Sequence, residues 1–333
     1  MDAIDKAILN ALCVNMGYKD GESIAIIMQE WHKELGEDVK ERFDKSKELC
    51  LRMFRVFKDQ GYDVELLGYE PREARNGVDA PAELYDRIGE KDIIFMPTPF
   101  SLTHTTFRKK QTEKGSRIAS MPTFTLEMFE EDGPMNLDYN ELLRYTEQIA
   151  EQLKSGKLIQ ITAADTNLII EPDINLVRVS AGVLTIAGQW GNLPGAEAYV
   201  VPVHDGISKG YFTVPAGWGG STPLKYSAKF IINQARFVNV IGENKDAQKY
   251  LDEFVKPLIF REANFNVLAE FGIGTNPHIT EEYIQKKGWS TLTAEKIYGS
   301  VHFANGNSYA IGGKNNVEVH IDWVVPNAKW CLI

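Results

Sequence analysis

The chain has 333 residues, of which 44% are hydrophobic and 25% are charged. This length favours two domains over one and is sufficient for a sizeable core. Asp and Glu outnumber Lys and Arg by 46 to 36, which gives a net charge of −10. No basic cluster of the kind that follows phosphates occurs along the chain, so we expect neither nucleic acid nor an anionic membrane surface as a partner.

The first half of the chain alternates between short apolar runs and helical patterns. Strands are predicted at residues 23–28, 63–69 and 92–97, and helices at residues 38–60, 80–90 and 138–156. A further helix is predicted within residues 101–115, capped by Ser101 or Thr103 and ended by Gly115. Strands that alternate with helices indicate a parallel sheet with helical crossovers. Residues 1–160 are therefore predicted to form an α/β domain.

The pattern changes near residue 157. The run "KLIQITAADTNLIIEP" predicts two short strands around a turn, and glycine-rich, β-branched and aromatic segments follow it. One long helical pattern, at residues 243–264, interrupts them. Residues 161–333 are therefore predicted to form a mostly antiparallel α+β domain.

No apolar run approaches the length of a membrane span, and the first residues indicate an amphipathic helix rather than a signal peptide. Three scattered cysteines, Cys13, Cys50 and Cys331, offer neither a disulfide framework nor the spacing of a zinc site. We expect free thiols and a cytoplasmic location.

The alternation in "NNVEVHIDWVV" predicts a strand that carries His320 and Asp322 on the same face. His302 lies in a preceding strand-like run, within "GSVHFANGNSY". Two adjacent strands can present two imidazoles and one carboxylate to a single point, which matches both zinc-type and non-haem iron ligation. The alternative is that these histidines are surface residues or are satisfied within the core.

Two glutamates add to this set. Glu197 follows a Pro-Gly turn in "NLPGAEAYVVP", and Glu270 lies in the apolar run "VLAEFGIGTNP". A buried glutamate is costly unless it is paired or bound to a cation, although an edge-strand glutamate can also face water. Together with the two histidines and the aspartate, they supply ligands for two divalent ions that share carboxylates. Paired metals activate water in hydrolysis, so the predicted antiparallel domain is also a candidate metal-binding domain.

Several blocks resemble those of the aminopeptidase T type of leucyl aminopeptidase, a family of thermophilic two-metal exopeptidases. The blocks are "NLPGAEAYVVP", "AEFGIGTNP", "GSVHFANGNSY", "GGKNN" and "VHIDWVV", in the family's order, with "PTPFSLTHTTFRKKQTEKGSRIASMP" and "DYNELL" in the first half. The resemblance implies the metal ligands Glu197, Glu270, His302, His320 and Asp322. It also implies that Tyr309 is the active-site tyrosine, whose phenol can hydrogen-bond an oxyanion. The alternative for Tyr309 is an aromatic ring that packs beside Gly312.

The resemblance extends to a related branch, 2,5-dihydroxypyridine 5,6-dioxygenase, a ring-cleaving enzyme with a mononuclear iron(II) site of two histidines and one carboxylate. That branch is expected to have a histidine near the place of Glu270, so the glutamate here favours a hydrolase. The aromatic segments "QWGNLPG" and "GYFTVPAGWGG" can also line a pocket for a flat aromatic substrate. A third hypothesis is a non-catalytic binding protein on the same scaffold.

The resulting prediction is a cytoplasmic metallo-aminopeptidase, a hydrolase that uses two Zn, Co or Mn ions on a peptide or small-molecule substrate. The alternative is a dioxygenase with a single Fe(II). The resemblance further implies a homodimer whose active sites face an internal cavity.

Overall fold

The computed structural model describes residues 1–220, 222–288 and 290–333. The chain forms two compact units. The first comprises Met1–Glu141 and Gly182–Gly195, and the second comprises Leu142–Ala181 and Ala196–Ile333. In the described part of the chain, every helix is too short or too polar to cross a membrane.

The first unit contains a five-stranded sheet in the order β2-β1-β3-β4-β8, in which all neighbouring strands are parallel. Its strands are β1 (Ile24–Gln29), β2 (Val64–Tyr69), β3 (Ile93–Met96), β4 (Arg117–Ser120) and β8 (Trp190–Asn192). Its helices are α1 (Ala3–Asn10), α2 (Lys40–Asp59), α3 (Ala82–Ile88) and α4 (Thr106–Glu113). Every residue of β1, β3 and β4 is buried, as expected for a parallel sheet with helical connections. The predicted α/β architecture is confirmed.

Helix α4 starts later than predicted. Its cap is Thr105, whose hydroxyl accepts a hydrogen bond from the Arg108 amide at 3.3 Å. The predicted caps were wrong, because the hydroxyls of Ser101 and Thr103 bond to each other at 2.7 Å within the preceding loop. The predicted end is confirmed by Gly115, which adopts a positive φ of 102° directly after the helix.

The second unit contains two antiparallel sheets, in the orders β12-β11-β10-β6-β5-β16 and β15-β14-β13-β9-β7. The five-stranded one is called the site sheet below. Its strands are β7 (Pro172–Ser180), β9 (Glu197–Pro202), β13 (Leu268–Gly274), β14 (Val301–Gly306) and β15 (His320–Val325). The other strands are β5 (Ile159–Ala163), β6 (Thr166–Ile170), β10 (Lys209–Val214), β11 (Ala228–Asn233), β12 (Arg236–Gly242) and β16 (Lys329–Leu332). The predicted antiparallel second half is confirmed.

The remaining helices are short, apart from α5 (Tyr139–Leu153). The helix predicted over residues 243–264 is divided into α6 (Lys245–Tyr250), a π-helical turn at Leu251–Val255, and α7 (Lys256–Phe260). Pro257 explains the division, because it has no amide hydrogen and its ring crowds the carbonyl four residues earlier. Two helices, α8 (Glu281–Lys287) and α9 (Thr291–Ala294), were not predicted.

The site sheet has one apolar face. Phe271, Phe303 and Trp323 point from this face into the core, where they meet the six-stranded sheet. The Phe303 ring lies 4.4 Å from that of Phe212, and the Trp323 ring lies 4.8 Å from that of Phe230. Side chains alternate along a strand, so neighbouring positions project from the opposite face.

Candidate metal site

The five predicted ligands lie on adjacent strands of the site sheet. Glu197 opens β9, Glu270 lies in β13, His302 in β14, and His320 and Asp322 in β15. These four strands are neighbours in the order β15-β14-β13-β9. The antiparallel pairing therefore brings together residues that are far apart in the chain.

The five side chains form two groups of possible metal donors that share Glu270. In the inner donor group, defined as Glu197, Glu270 and His302, the imidazole Nε2 lies 3.5 Å from Glu197 Oε2 and 3.3 Å from Glu270 Oε1. In the outer donor group, defined as Glu270, His320 and Asp322, Nε2 of His320 lies 3.5 Å from Glu270 Oε2 and 3.4 Å from Asp322 Oδ1. The side chain of His302 is 1% exposed and that of His320 is 31% exposed, so the inner group is the more deeply buried one.

Glu270 reaches both groups because of local backbone geometry. The pairing of β13 with β14 shifts by one residue between Leu268 and Glu270, which sets Glu270 opposite Ala304. Ala304 is also paired with Asp322 on the other side. From Glu270 to Ile273 the pairing is regular, and positions two apart on a strand share a face, so the Glu270 carboxylate projects from the same face as Gly272 and its partner His302.

Gly272 makes room for His302. The two residues are paired across β13 and β14, and a Cβ atom at residue 272 would overlap the His302 imidazole. The absence of a side chain at Gly272 therefore allows the ring to lie over the sheet, where its Nε2 faces the two glutamates.

The orientation of His320 suits a metal ligand. Its Nδ1 lies 2.7 Å from the carbonyl oxygen of Asn307, and in the tautomer that this contact favours Nδ1 carries the proton and donates it. The lone pair is then on Nε2, which faces the outer donor group. A backbone carbonyl that fixes the ring in this way is typical of histidines that bind metals.

The carboxylates and imidazoles strongly shift each other's pKa values. Burial lowers the pKa of His302 and His320, but the neighbouring carboxylates outweigh it and raise these pKa values to about 9 and about 10. Burial raises the pKa of Asp322, but the adjacent His320 outweighs it and lowers the pKa to about 2. Burial raises the pKa values of Glu197 and Glu270.

Two charged residues at the site were missed by the sequence reasoning. Lys296 is completely buried, and its Nζ lies 3.2 Å from Glu197 Oε1 and 2.6 Å from Glu295 Oε1. Both residues lie between α9 and β14, in "LTAEKIYG". The sequence feature that could have indicated them is the adjacent pair Glu295 and Lys296 in an otherwise uncharged segment, just before the strand of His302.

Tyr309 lies in a 3₁₀ turn formed by Tyr309–Ile311. The Asn307 carbonyl that meets the His320 imidazole lies two residues before it, so this turn is tied to the outer donor group. The Tyr309 side chain is 65% exposed. Its phenol is therefore accessible to a ligand.

The donor set fits divalent metal ions. Four carboxylates, from Glu197, Glu270, Glu295 and Asp322, are largely buried at the site beside the ammonium group of Lys296 and the imidazoles of His302 and His320. Buried carboxylates are costly without cations beside them, and in the metal-free protein the raised pKa values place protons on the two imidazoles. The imidazole and carboxylate donors suit Zn, Mn, Co or Fe, and metal binding by these residues would balance the charge.

No model of a known protein family matches the chain, and no curated protein sequence matches it. Several solved structures match its fold, and two of them are described here. The structure of 2,5-dihydroxypyridine dioxygenase from Pseudomonas putida KT2440 is 13% identical with a TM-score of 0.73, over 99% of this chain and 93% of that chain. Wild-type AmpT, an aminopeptidase T from Thermus thermophilus, is 14% identical with a TM-score of 0.61, over 96% of this chain and 92% of that chain. The two structures are of the two kinds of protein that the sequence resembles, and the predicted similarity in fold is confirmed.

Proposed function

We propose that this chain is a hydrolase that binds two divalent metal ions, and most simply an aminopeptidase that releases N-terminal residues from peptides. The observation that carries the proposal is the position of Glu270. Its Oε1 lies 3.3 Å from the His302 imidazole and its Oε2 lies 3.5 Å from the His320 imidazole. A carboxylate whose two oxygens face two different histidines is arranged to bridge two ions, and two-metal sites are common in aminopeptidases.

The side chains of the site have separate roles in the proposed hydrolysis. When bound, two divalent ions supply an activated water and stabilise negative charge on the scissile carbonyl. Glu197 and His302 would hold the inner ion, His320 and Asp322 would hold the outer ion, and Glu270 would belong to both positions. A ligand carboxylate or a nearby acidic residue would receive the proton of the water.

Tyr309 completes the proposed site. Its exposed phenol can donate a hydrogen bond to the oxyanion that forms at the substrate carbonyl. The fold shared with AmpT supports a peptide as the substrate. The homodimer and the cytoplasmic location stay predictions.

A mononuclear iron(II) dioxygenase that acts on a dihydroxypyridine-like substrate is the second candidate. The similarity in fold to 2,5-dihydroxypyridine dioxygenase, with a TM-score of 0.73, favours it. Such iron sites combine two histidines and one carboxylate on one ion. Here His302 and His320 fall in different donor groups, which supports two ions over one.

The test is a comparison of two reactions on one preparation. Metal-free protein is reloaded with Zn²⁺, Co²⁺ or Mn²⁺ and screened against aminoacyl p-nitroanilides and dipeptides. A second portion is loaded anaerobically with Fe²⁺ and tested for oxygen uptake with 2,5-dihydroxypyridine. We expect metal-dependent release of N-terminal residues that Asp322→Asn abolishes. Oxygen uptake by the Fe²⁺ form, without any hydrolysis by the other forms, would overturn the hydrolase proposal.

A further inference from the structure

Lys296 is the most deeply buried charged group at the site and is not itself a metal donor. Its side chain is 0% exposed. The backbone amide of Lys296 donates to the Thr293 carbonyl, and its own carbonyl accepts from the Asn276 amide at 3.0 Å. The ammonium group is therefore held on a fixed segment and cannot move into water without disturbing the fold.

Gly274 allows Lys296 to reach the site sheet. Gly274 is paired with Glu197 across β13 and β9. A Cβ atom at residue 274 would overlap the backbone of residues 295–297. The segment that carries Lys296 thus packs directly on the strand beside Glu197, and this close approach sets the contact of 3.2 Å between Lys296 Nζ and Glu197 Oε1.

The two donor groups consequently differ in charge. In the inner donor group, one oxygen of Glu197 already accepts a hydrogen bond from an ammonium group, and only Oε2 faces His302. In the outer donor group, Asp322 lies 3.4 Å from His320, and the charge of Lys296 acts on it as a smaller influence than that of His320. A positive charge in contact with a ligand withdraws negative charge from the ion and repels it.

We infer that the positive charge of Lys296, partly neutralised by Glu295, lowers the metal affinity of the inner donor group. Of the two metal positions, the inner one therefore fills second. This inference rests on the proposed two-metal site. Lys296 is a positioning residue, because it acts through Glu197, which it restricts to coordination through Oε2. Glu295 opposes it, because the carboxylate 2.6 Å from the ammonium neutralises part of its charge.

The two partners of this ion pair should have opposite effects on metal affinity. Lys296→Met removes the positive charge and releases Glu197, so the inner position should bind its ion more tightly. Glu295→Gln keeps the shape of the side chain and leaves Lys296 less neutralised, so the same position should bind more weakly. A purely structural role would weaken binding in both variants, because both remove one partner of a buried ion pair.

The experiment is a titration of metal-free protein with Mn²⁺, followed by the electron paramagnetic resonance signal of the free ion. Native protein should show a tighter and a weaker step, with Asp322→Asn affecting the tighter step and Glu197→Gln the weaker one. Lys296→Met should strengthen the weaker step, and Glu295→Gln should weaken it, each by at least about tenfold. The matched control is Lys229→Met, which breaks an ion pair with Asp165 at 2.8 Å and should leave both steps unchanged.

The outcomes separate this inference from the function on which it rests. Binding of a single ion to the native protein would overturn the two-metal proposal together with the inference. Two ions, with Lys296→Met and Glu295→Gln shifting the weaker step in the same direction or not at all, would overturn the inference alone. If Lys296→Met does not fold, Lys296→Gln takes its place, because it removes the charge but keeps a hydrogen-bond donor, and weaker or unchanged binding of the second ion there would overturn the inference.

Discussion

Substitution of Gly272 by alanine should remove one metal position and spare the other. Gly272 is paired with His302, and an added Cβ would overlap the His302 Nε2, Cε1 and Cδ2 atoms. The backbone of β13 is hydrogen-bonded to β9 and β14 on its two sides. The imidazole rather than the strand is therefore expected to move.

The size of the effect follows from the distances at the ring. The added Cβ would lie 2.1 Å from Nε2, so relief of the overlap requires a displacement of roughly 1.4 Å to reach the optimal separation of about 3.5 Å. His302 Nε2 already lies 3.3 Å from Glu270 Oε1 and 3.5 Å from Glu197 Oε2. A further shift removes it from both carboxylates, and overpacking of this kind lowers the free energy of unfolding by about 1–3 kcal/mol.

The assay is metal content by plasma mass spectrometry, combined with denaturant unfolding of the metal-free protein. We expect Gly272→Ala to retain one ion per chain. A double-mutant cycle with His302→Ala gives the control, because the added methyl group meets no imidazole in that background and should cost little stability. Retention of two ions by Gly272→Ala, or an equal loss of stability in both backgrounds, would refute the assigned role of Gly272.

Other substitutions and conditions test the remaining parts of the site. Glu270→Gln, which keeps the shape of the bridging side chain but not its charge, should bind at most one ion; retention of two would show that the carboxylate does not bridge. The pKa values of about 9 for His302 and about 10 for His320 exceed the unfolded value of about 6.5. Protonated His302 and His320 therefore add to the free energy of unfolding of the metal-free protein. This contribution is fully present below about pH 6.5 and should disappear as the pH rises through the folded pKa values. Calorimetry at pH 7 in buffers of different ionisation enthalpy should accordingly detect protons released on metal binding, whereas an absence of release would contradict the raised pKa values. Tyr309→Phe should lower kcat by about 100-fold without loss of metal; an unchanged kcat would exclude the phenol as an oxyanion donor.

The sequence was sufficient to predict the two strands that carry His302, His320 and Asp322. Alternation in β15 places His320 and Asp322 on one face, and the structure has their side chains 3.4 Å apart. Alternation within one strand cannot show which strands lie side by side, because the order β15-β14-β13-β9 is set by tertiary pairing. The position of Glu270 between the imidazoles of His302 and His320 therefore became apparent only in the structure.

The Lys296 and Glu295 pair was not predictable for a different reason. It lies between a four-residue helix and a strand, in a segment whose hydrophobic pattern has no regular period. The pair reaches the site because Gly274, which is distant in sequence, has no side chain that would overlap the backbone of residues 295–297. The division of the helix predicted at residues 243–264 was, by contrast, signalled by Pro257, whose effect on a helix interior is local.

Electron paramagnetic resonance of the Mn²⁺-loaded protein can determine whether Glu270 bridges two ions, as we propose. Metal content and spectrum are measured on the same sample, with Glu270→Gln as the matched control. We expect two Mn²⁺ per chain and the spectrum of a spin-coupled pair in the native protein, and the loss of that spectrum in Glu270→Gln. One Mn²⁺ per chain, or two ions with the spectrum of isolated Mn²⁺, would contradict the proposed bridge.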